Sequence, residues 1–204
     1  MRILILDASS DSGSLAVLEK GEITHERQFP SGRREGGALF LELQELIREI
    51  EKAEQIVVGL GPGSYSGIRQ VVALAEGLAC AWQSELVGIP SPCGLSEECR
   101  YIALGDARKG TYYYTEIEAG KPVDGPILKE EATLREKLSQ STLPVFSTDA
   151  LAAFPSIPVC KPSARLIGKA ALLHWDQIRL NRLEPLYLRA PNITTAVNPP
   201  LILS

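Results

Sequence analysis

Residues 54–83 read EQIVVGLGPGSYSGIRQVVALAEGLACAWQ, and this stretch decides the fold. The apolar run at 56–58 has no polar alternation, which predicts a strand buried on both faces of a sheet. The glycines that follow predict a tight turn, because glycine tolerates positive φ and close backbone approach. From about Ser66 to Gln83 the pattern predicts a helix. A strand, a glycine loop and a helix in this order indicate an α/β protein.

The predicted helix is apolar on nearly every side. Its polar residues Arg69, Glu76 and Gln83 are spaced by seven and therefore form one narrow stripe. Two interpretations stay open. The helix is a core element of its own fold, which the pattern alone favours, or a partner covers part of it.

Elements on either side of this stretch complete the predicted architecture. Residues 2–7, 14–19 and 22–29 predict antiparallel strands joined by short turns, and 38–53 predicts a helix with one apolar face. After a strand at 86–89, the sequence Pro90-Ser91-Pro92 breaks the chain. Further strands are predicted at 101–104, 111–117 and 145–147, with helices at 130–138 and 163–182. In the second of these helices, the residues predicted to face inward are Leu166, Ile167, Ala170, Leu173 and Ile178. We therefore predict two lobes with mixed sheets, one formed by residues 1–94 plus 186–204 and a smaller one by 95–185.

Composition and charge exclude several classes of protein. The chain has 204 residues, 45% hydrophobic and 23% charged, with a net charge of −4. That charge argues against a basic nucleic-acid-binding face over the whole protein, although a local basic patch stays open. We find no signal-peptide pattern and no apolar run long enough for a membrane span. The expectation is a cytoplasmic protein with reduced thiols.

Neither the cysteines nor the histidines form a metal-binding pattern. The four cysteines show no C-x-x-C spacing, and His25 and His174 are far apart in sequence. Cys80 falls in the apolar helix, where we expect a buried free thiol.

The glycine loop fails three catalytic patterns. A phosphate-binding P-loop needs a lysine that the segment 61–67 lacks. A dinucleotide site needs its third glycine one position earlier than Gly67. A nucleophile elbow needs serine where Tyr65 stands, and a hydrolase using Ser64 or Ser66 would need His25 or His174 as its base. A turn that seats the helix is favoured over an anion site at the helix N-terminus.

The end of the first strand is a second candidate site. Asp7 is followed by Ser9 and Ser12 in a hairpin turn, a set that could hold a phosphate or a metal-bound group. A turn rich in aspartate and serine is also what most hairpins contain. These three residues are therefore the candidates for a residual phosphate loop.

Four segments together resemble the TsaB (YeaZ) family. They are ILILDASSDSGSLAVLEKGEI at 3–23, VVGLGPGSYSGIRQVVALAEGLA at 57–79, ALGDARKGTYYYTEI at 103–117 and EPLYLR at 184–189. The segment GPGSYSGIR is similar to the family's G-P-G-S-F-T-G-L-R and is the most specific. The residues that carry this loop motif are Gly61, Pro62, Gly63, Ser64, Gly67 and Arg69.

The resemblance implies an actin-like, Hsp70-like ATPase fold and a role in making N6-threonylcarbamoyladenosine at position 37 of tRNAs that read ANN codons. It implies a non-catalytic subunit that binds a catalytic subunit, TsaD, with the ATPase TsaE joining the pair. TsaD-like chains carry an H-x-x-x-H metal pair, which this sequence lacks. No metal is implied and no cofactor is expected, although weak ATP or ADP binding is left open. We expect tRNA to be reached only through the complex, and no membrane contact.

The resemblance also implies that the two helices flanking the motif loop contact the partner. By periodicity, the expected interface residues are Leu39, Phe40, Leu43, Ile47, Val71, Ala75 and Leu78. The same surface would allow a homodimer. The chain departs from the family pattern at 34–37, at Val71 and at Glu76. Two alternatives stay open: a weak nucleotide-binding ATPase with Asp7 as its acid, and a serine hydrolase or peptidase.

Overall fold

The computed structural model of the chain describes residues 1–32, 37–179 and 183–189. A first sheet has five strands: β1 (Arg2–Asp7), β2 (Ser12–Glu19), β3 (Glu22–Pro30), β4 (Gln55–Gly59) and β5 (Glu85–Ile89). Their order in the sheet is β3-β2-β1-β4-β5. The antiparallel part, β1 to β3, is a meander, whereas β4 and β5 run parallel to β1.

Both faces of the first sheet are covered by helices, which explains why β1 and β4 have no polar face. Leu4 and Leu6 of β1 share a buried cluster with two helices, α1 (Ala38–Glu49) and α2 (Tyr65–Trp82). The alternate residues Ile3 and Ile5 point to the other face and pack in a second cluster. Strand alternation therefore separates two cores on either side of one sheet.

A second, four-stranded sheet has the order β8-β7-β6-β9. One of its faces packs with α3 (Glu131–Ser139) through Leu134. A further helix, α4 (Ala164–Ile178), contributes Ile167 and Ala170 to a cluster that holds residues of both sheets, so α4 joins them. The strands are β6 (Arg100–Asp106), β7 (Thr111–Glu118), β8 (Lys121–Glu130) and β9 (Val145–Ser147).

Two mixed sheets led by antiparallel hairpins and flanked by helices confirm the predicted fold class. A 3₁₀ turn at Ser91–Gly94 lies between the two sheets in sequence, at the predicted break. The predicted division into 1–94 plus 186–204 and 95–185 stays a prediction, and residues 190–204 of it lie outside the described residues.

Strand β8 is the largest element that the sequence did not predict. It contains Pro122, Gly125 and Pro126, which are unfavourable inside a strand. The edge position of β8 tolerates proline, because one side of an edge strand needs no ladder hydrogen bonds. Helix α1 also ends at Glu49 rather than at residue 53, since Ile50 is extended, with φ −115° and ψ 153°.

Helix α4 corrects the prediction that Leu173 faces inward. Leu173 is 71% exposed. The next residue, His174, leaves the helical conformation with φ −122° and ψ 17°, and its Nε2 lies 2.7 Å from the Ala119 carbonyl oxygen. Helical spacing puts Ile167, Ala171 and Ile178 on one buried side of α4, and Leu173 lies away from that side, so the prediction was wrong. The predicted extension of α4 to residue 182 includes 180–182, which lie outside the described residues.

Cys80 is exposed on α2, so the prediction of a buried thiol there was wrong. Cys93 is the buried cysteine instead. Among the described residues, none of the helices is long and apolar enough to cross a membrane.

Candidate functional site

The glycine loop between β4 and α2 packs directly on the turn between β1 and β2. The Ser64 amide donates a hydrogen bond of 2.7 Å to the Ser9 carbonyl. A Cβ on Gly63, whose φ is +155°, would lie 1.9 Å from that same oxygen. A Cβ on Gly67 would lie 2.0 Å from the Ala8 carbonyl oxygen. Glycine is required at both positions because backbone meets backbone there.

Asp7, at the end of β1, is the centre of a buried hydrogen-bond network. Its Oδ1 accepts from the amide and the hydroxyl of Ser9, at 3.0 and 2.9 Å. Its Oδ2 accepts from the Ser91 hydroxyl at 2.5 Å, and the Ser91 oxygen accepts from the Gly61 amide at 2.9 Å. Burial raises the pKa of Asp7 above its ordinary value, and the Ser91 and Ser9 hydrogen bonds oppose that rise.

Ser91 was not identified as a site residue from the sequence, because Pro90-Ser91-Pro92 indicates there only a break in the chain. Ser12, by contrast, does not join Asp7 and Ser9. It begins β2, and its amide donates to the Ser10 hydroxyl oxygen at 3.2 Å. Of the three predicted phosphate-loop residues, the structure therefore brings together two.

The two serines considered as nucleophiles have different surroundings. Ser64 is the N-cap of α2, and its hydroxyl oxygen accepts from the Gly67 amide at 3.3 Å. Ser66 is exposed on the first turn. His25 lies on β3 with its Nδ1 3.0 Å from the Thr24 hydroxyl, whereas His174 contacts a backbone carbonyl. The structure pairs neither histidine with either serine within its described part.

A cleft of about 1130 Å³ opens between the two sheets. Its lining comes from the β1–β2 turn, the glycine loop, the β6–β7 turn and the segment 186–189. On one wall, the hydroxyls of Tyr113 and Thr148 lie 2.9 Å apart, and Thr148 also donates to Asp149 at 2.8 Å. Burial raises the pKa of Tyr113. Among the described residues no group of three or more His, Cys, Asp or Glu could hold a metal ion.

The predicted interface residues divide into two groups. Phe40 is 56% exposed, and Ile47 and Leu78 are half-buried, so all three reach the surface. The remaining four are buried in the chain's own core against the first sheet, and their assignment to a partner interface was wrong: Leu39, Leu43, Val71 and Ala75.

The periodicity argument failed because each helix has two different apolar surfaces. On α1, the residue next to Phe40 is Leu41, which is 63% exposed and was not predicted. On α2, the outward side carries Ala73, Gly77 and Ala81, all exposed. A Cβ on Gly77 would meet nothing within 4 Å. Leu41 could have been found as a leucine outside the main apolar stripe of α1.

Comparison with known proteins gives concordant results. A family model described as "TsaD: tRNA N6-adenosine threonylcarbamoyltransferase" matches residues 42–141. Two curated proteins, both named "tRNA threonylcarbamoyladenosine biosynthesis protein TsaB", are similar to this chain. The protein from Haemophilus influenzae is 23% identical over 128 residues, covering 57% of this chain and 54% of its own length. The protein from Escherichia coli K12 is 25% identical over 130 residues, covering 58% and 55%.

Two solved structures from Pseudomonas aeruginosa share the fold. One is described as an uncharacterized protein with similarity to peptidase YEAZ, and it has a TM-score of 0.75 at 20% identity. The other, YeaZ, has a TM-score of 0.71 at 20% identity. Each alignment covers 92% of this chain and 99% of the solved chain. The chain therefore resembles the TsaB (YeaZ) family, in sequence over more than half of its length and in fold over nearly all of it.

The chain spans about half the length of the curated relatives it matches. The family's loop motif lies where the two-sheet cleft meets α2. Gly61, Gly63 and Gly67 permit the close packing, Ser64 caps the helix, and Arg69 lies one turn later with its Nη1 2.9 Å from the Tyr65 hydroxyl. Pro62 lines the cleft. The motif therefore fixes the start of α2.

Proposed function

We propose that the chain is a supporting, non-catalytic subunit in the formation of threonylcarbamoyladenosine on tRNA, and that it binds a TsaD-like catalytic subunit. The names of the curated relatives support the pathway. The observation that carries the supporting role is the packing of the glycine loop, because three of its backbone amides already donate hydrogen bonds within the chain.

Three backbone amides of the glycine loop donate hydrogen bonds to other groups of the chain. The Gly61 amide donates to Ser91, the Ser64 amide to Ser9, and the Gly67 amide to the Ser64 hydroxyl. A phosphate at this loop would have to displace these bonds and separate backbones in contact. A loop that cradles phosphate instead leaves amides pointing at the ligand. The packing therefore favours a structural role for the loop.

The outward sides of α1 and α2 form the proposed partner surface. Phe40 and Leu41 expose large apolar side chains next to each other in sequence. Exposed small residues on α2, with open space above Gly77, leave room for a partner's backbone to approach closely. Exposed apolar side chains of this kind are typical of protein interfaces. A TsaE-like ATPase would join the resulting pair, and two copies of this chain would compete for the same surface.

Co-expression with the TsaD-like subunit of the same organism tests this function. We expect the tagged chain to retain that subunit through gel filtration, and deletion of its gene to remove threonylcarbamoyladenosine from tRNA as measured by mass spectrometry. A chain carrying Ser64→Ala should restore the modification, since a supporting subunit needs no serine nucleophile. Failure to capture the subunit, together with intact tRNA modification after deletion, would contradict the proposal.

Nucleotide binding is a second candidate, favoured by the size of the cleft. A cleft of about 1130 Å³ is ample for a nucleotide. The buried Asp7, however, already accepts three hydrogen bonds and has a raised pKa, which makes it a poor ligand for magnesium. We expect at most weak binding of ATP or ADP. Isothermal titration calorimetry with magnesium and each nucleotide measures it, and micromolar affinity would revive the ATPase alternative.

The hydrolase alternative rests on Ser64 and Ser66. With Ser64 capping α2 and neither histidine paired with a serine in the described residues, we expect no activated nucleophile. A fluorophosphonate probe should label neither serine. Labelling of Ser64 or Ser66, mapped by mass spectrometry, would support a hydrolase.

A further inference from the structure

Two tyrosine rings and an arginine lie together at the mouth of the cleft. Tyr65, the first residue of α2, and Tyr187 have ring centroids 4.8 Å apart at an angle of 37°. The Arg69 guanidinium lies 5.2 Å from the Tyr65 ring centroid. The tyrosines are 40% and 42% exposed, respectively. The two rings therefore contact each other, Tyr65 also contacts a cation, and both tyrosines remain partly exposed to solvent.

The line of contacts continues from Tyr187 across the mouth to the β6–β7 turn. Two residues after Tyr187, Arg189 donates to the Thr111 hydroxyl, which donates to the Arg108 carbonyl at 2.8 Å. Arg108 and Lys109 occupy the turn with φ of +65° and +56°, and both are exposed. Neither side chain has an ion-pair partner among the described residues. Four cations and two rings thus form one continuous feature, the basic–aromatic line: Tyr65, Arg69, Arg108, Lys109, Tyr187 and Arg189.

The carboxylates that line the cleft are already engaged within the chain. Asp106 accepts from the Arg108 amide at 2.7 Å, and Asp149 accepts from the Asp106 amide at 3.2 Å. Asp11 pairs with Lys161 at 2.5 Å. Asp11 is thus paired with a lysine, and the four cations of the line outnumber the two other carboxylates of the lining, Asp106 and Asp149. This arrangement stands out in a chain whose net charge is −4.

We propose that the basic–aromatic line binds a single-stranded stretch of RNA. Its phosphates would contact Arg69, Arg108, Lys109 and Arg189, and a base would stack on the exposed part of the Tyr187 ring. Cationic side chains interleaved with exposed aromatic rings are the chemistry by which proteins hold single strands. The choice of RNA rests on the function proposed above. The inference goes beyond it by giving this chain a direct contact with tRNA within the complex.

Charge reversal at the turn tests the site. Fluorescence anisotropy would use a labelled 12-nucleotide oligouridylate and an unmodified tRNA transcript, with the full chain at several salt concentrations. We expect R108E/K109E to bind both probes roughly tenfold more weakly, because two phosphate contacts are lost. The slope of log K against log salt should fall by about 1.4, since each contact to a single strand contributes about 0.7.

Two lysines away from the cleft, Lys20 and Lys121, provide a matched charge-reversal control. Lys20 has φ of +53° in the β2–β3 turn beside Met1, and Lys121 begins β8 next to the β7–β8 turn. K20E/K121E changes the net charge equally and should bind RNA as the unmodified chain does. Tyr187→Ala should weaken binding and Tyr187→Phe should preserve it, because stacking needs the ring and not the hydroxyl. Circular dichroism confirms that each variant is folded.

Several outcomes would overturn the proposal: no RNA binding by the unmodified chain at low salt, equal binding by R108E/K109E, or equal losses in R108E/K109E and K20E/K121E. Loss of TsaD-like capture by R108E/K109E with RNA binding unchanged would assign the line to a protein partner and overturn it too. Capture of the TsaD-like subunit is measured on the same preparations. If capture is intact but charge reversal has no effect, only the RNA site fails. If capture fails while the RNA results hold, only the supporting role fails.

Discussion

A Cβ atom on Gly67 would stand 2.0 Å from the carbonyl oxygen of Ala8. The first turn of α2 therefore rests on the backbone of the β1–β2 turn, with no side chain between them. At the same place Ser64 caps the helix and bonds to Ser9, so the helix start, the turn and the buried Asp7 form one packed unit.

Alanine at this contact should destabilise the fold, whereas alanine elsewhere on α2 should not. Gly67→Ala forces a clash with Ala8, and overpacking of this kind costs about 1–3 kcal/mol of unfolding free energy. Gly77→Ala on the same helix meets open space and should stabilise the chain by about 0.5–1 kcal/mol. Urea unfolding of both variants measures the difference. Equal effects of the two substitutions would contradict the packing described here.

The raised pKa of Asp7 predicts a pH dependence of stability. The folded state holds a proton on Asp7 at pH values where the unfolded chain, with a pKa near 3.8, has lost it. The free energy of unfolding therefore falls as pH rises from the ordinary pKa to the raised one. Asp7→Asn cannot titrate and should lack this component. Urea unfolding at a series of pH values should show that, as pH rises, the unmodified chain loses stability relative to Asp7→Asn. If the unmodified chain keeps or gains stability relative to Asp7→Asn as pH rises, the pKa of Asp7 is not raised.

Charged residues on the outward side of α1 should break partner binding without unfolding the chain. Phe40→Asp and Leu41→Asp change side chains that are largely exposed, so the melting temperature should change little. Capture of the TsaD-like subunit should weaken roughly tenfold or more if these residues are central to the interface. Leu173→Asp on α4 is the matched control, because Leu173 is also a largely exposed apolar residue and lies on the opposite side of the first sheet. Equal losses in all three variants would exclude a specific role for α1.

A salt-sensitive contact attaches α1 to β3. Arg27 on β3 lies within 3.3 Å of carboxylates on Glu42, Glu45 and Glu49 of α1. These carboxylates are partly exposed, so Arg27→Ala should cost about 1 kcal/mol of unfolding free energy or less. The loss should shrink at about 1 M salt, where the Debye length is near 3 Å. Arg179→Ala, which removes an exposed ion pair with Asp176, should show a smaller loss. An Arg27 effect that is independent of salt would indicate packing instead.

The strongly patterned elements could be predicted from the sequence, and the site only in part. The hairpins, β4, the glycine loop and α2 follow from apolar runs and turn residues close together in the chain. Strand β8 could not be predicted, because prolines are tolerated there only as a result of its edge position. Ser91 could not be linked to Asp7, since 84 residues separate the partners of that hydrogen bond. Tyr187 and Tyr65 likewise meet only in the folded chain.

By itself, the sequence determined the α/β class, the failure of each catalytic motif at a named residue and the resemblance to the TsaB family, because these depend on local order along the chain. Only the tertiary structure decided which apolar residues of α2 are buried and which are exposed. Val71 and Ala75 pack on the first sheet, while Ala73 and Gly77 remain outside. The sequence shows apolar residues on both sides of α2 and does not say which side is buried. Only the position of the sheet in the folded chain distinguishes the core side from the surface side.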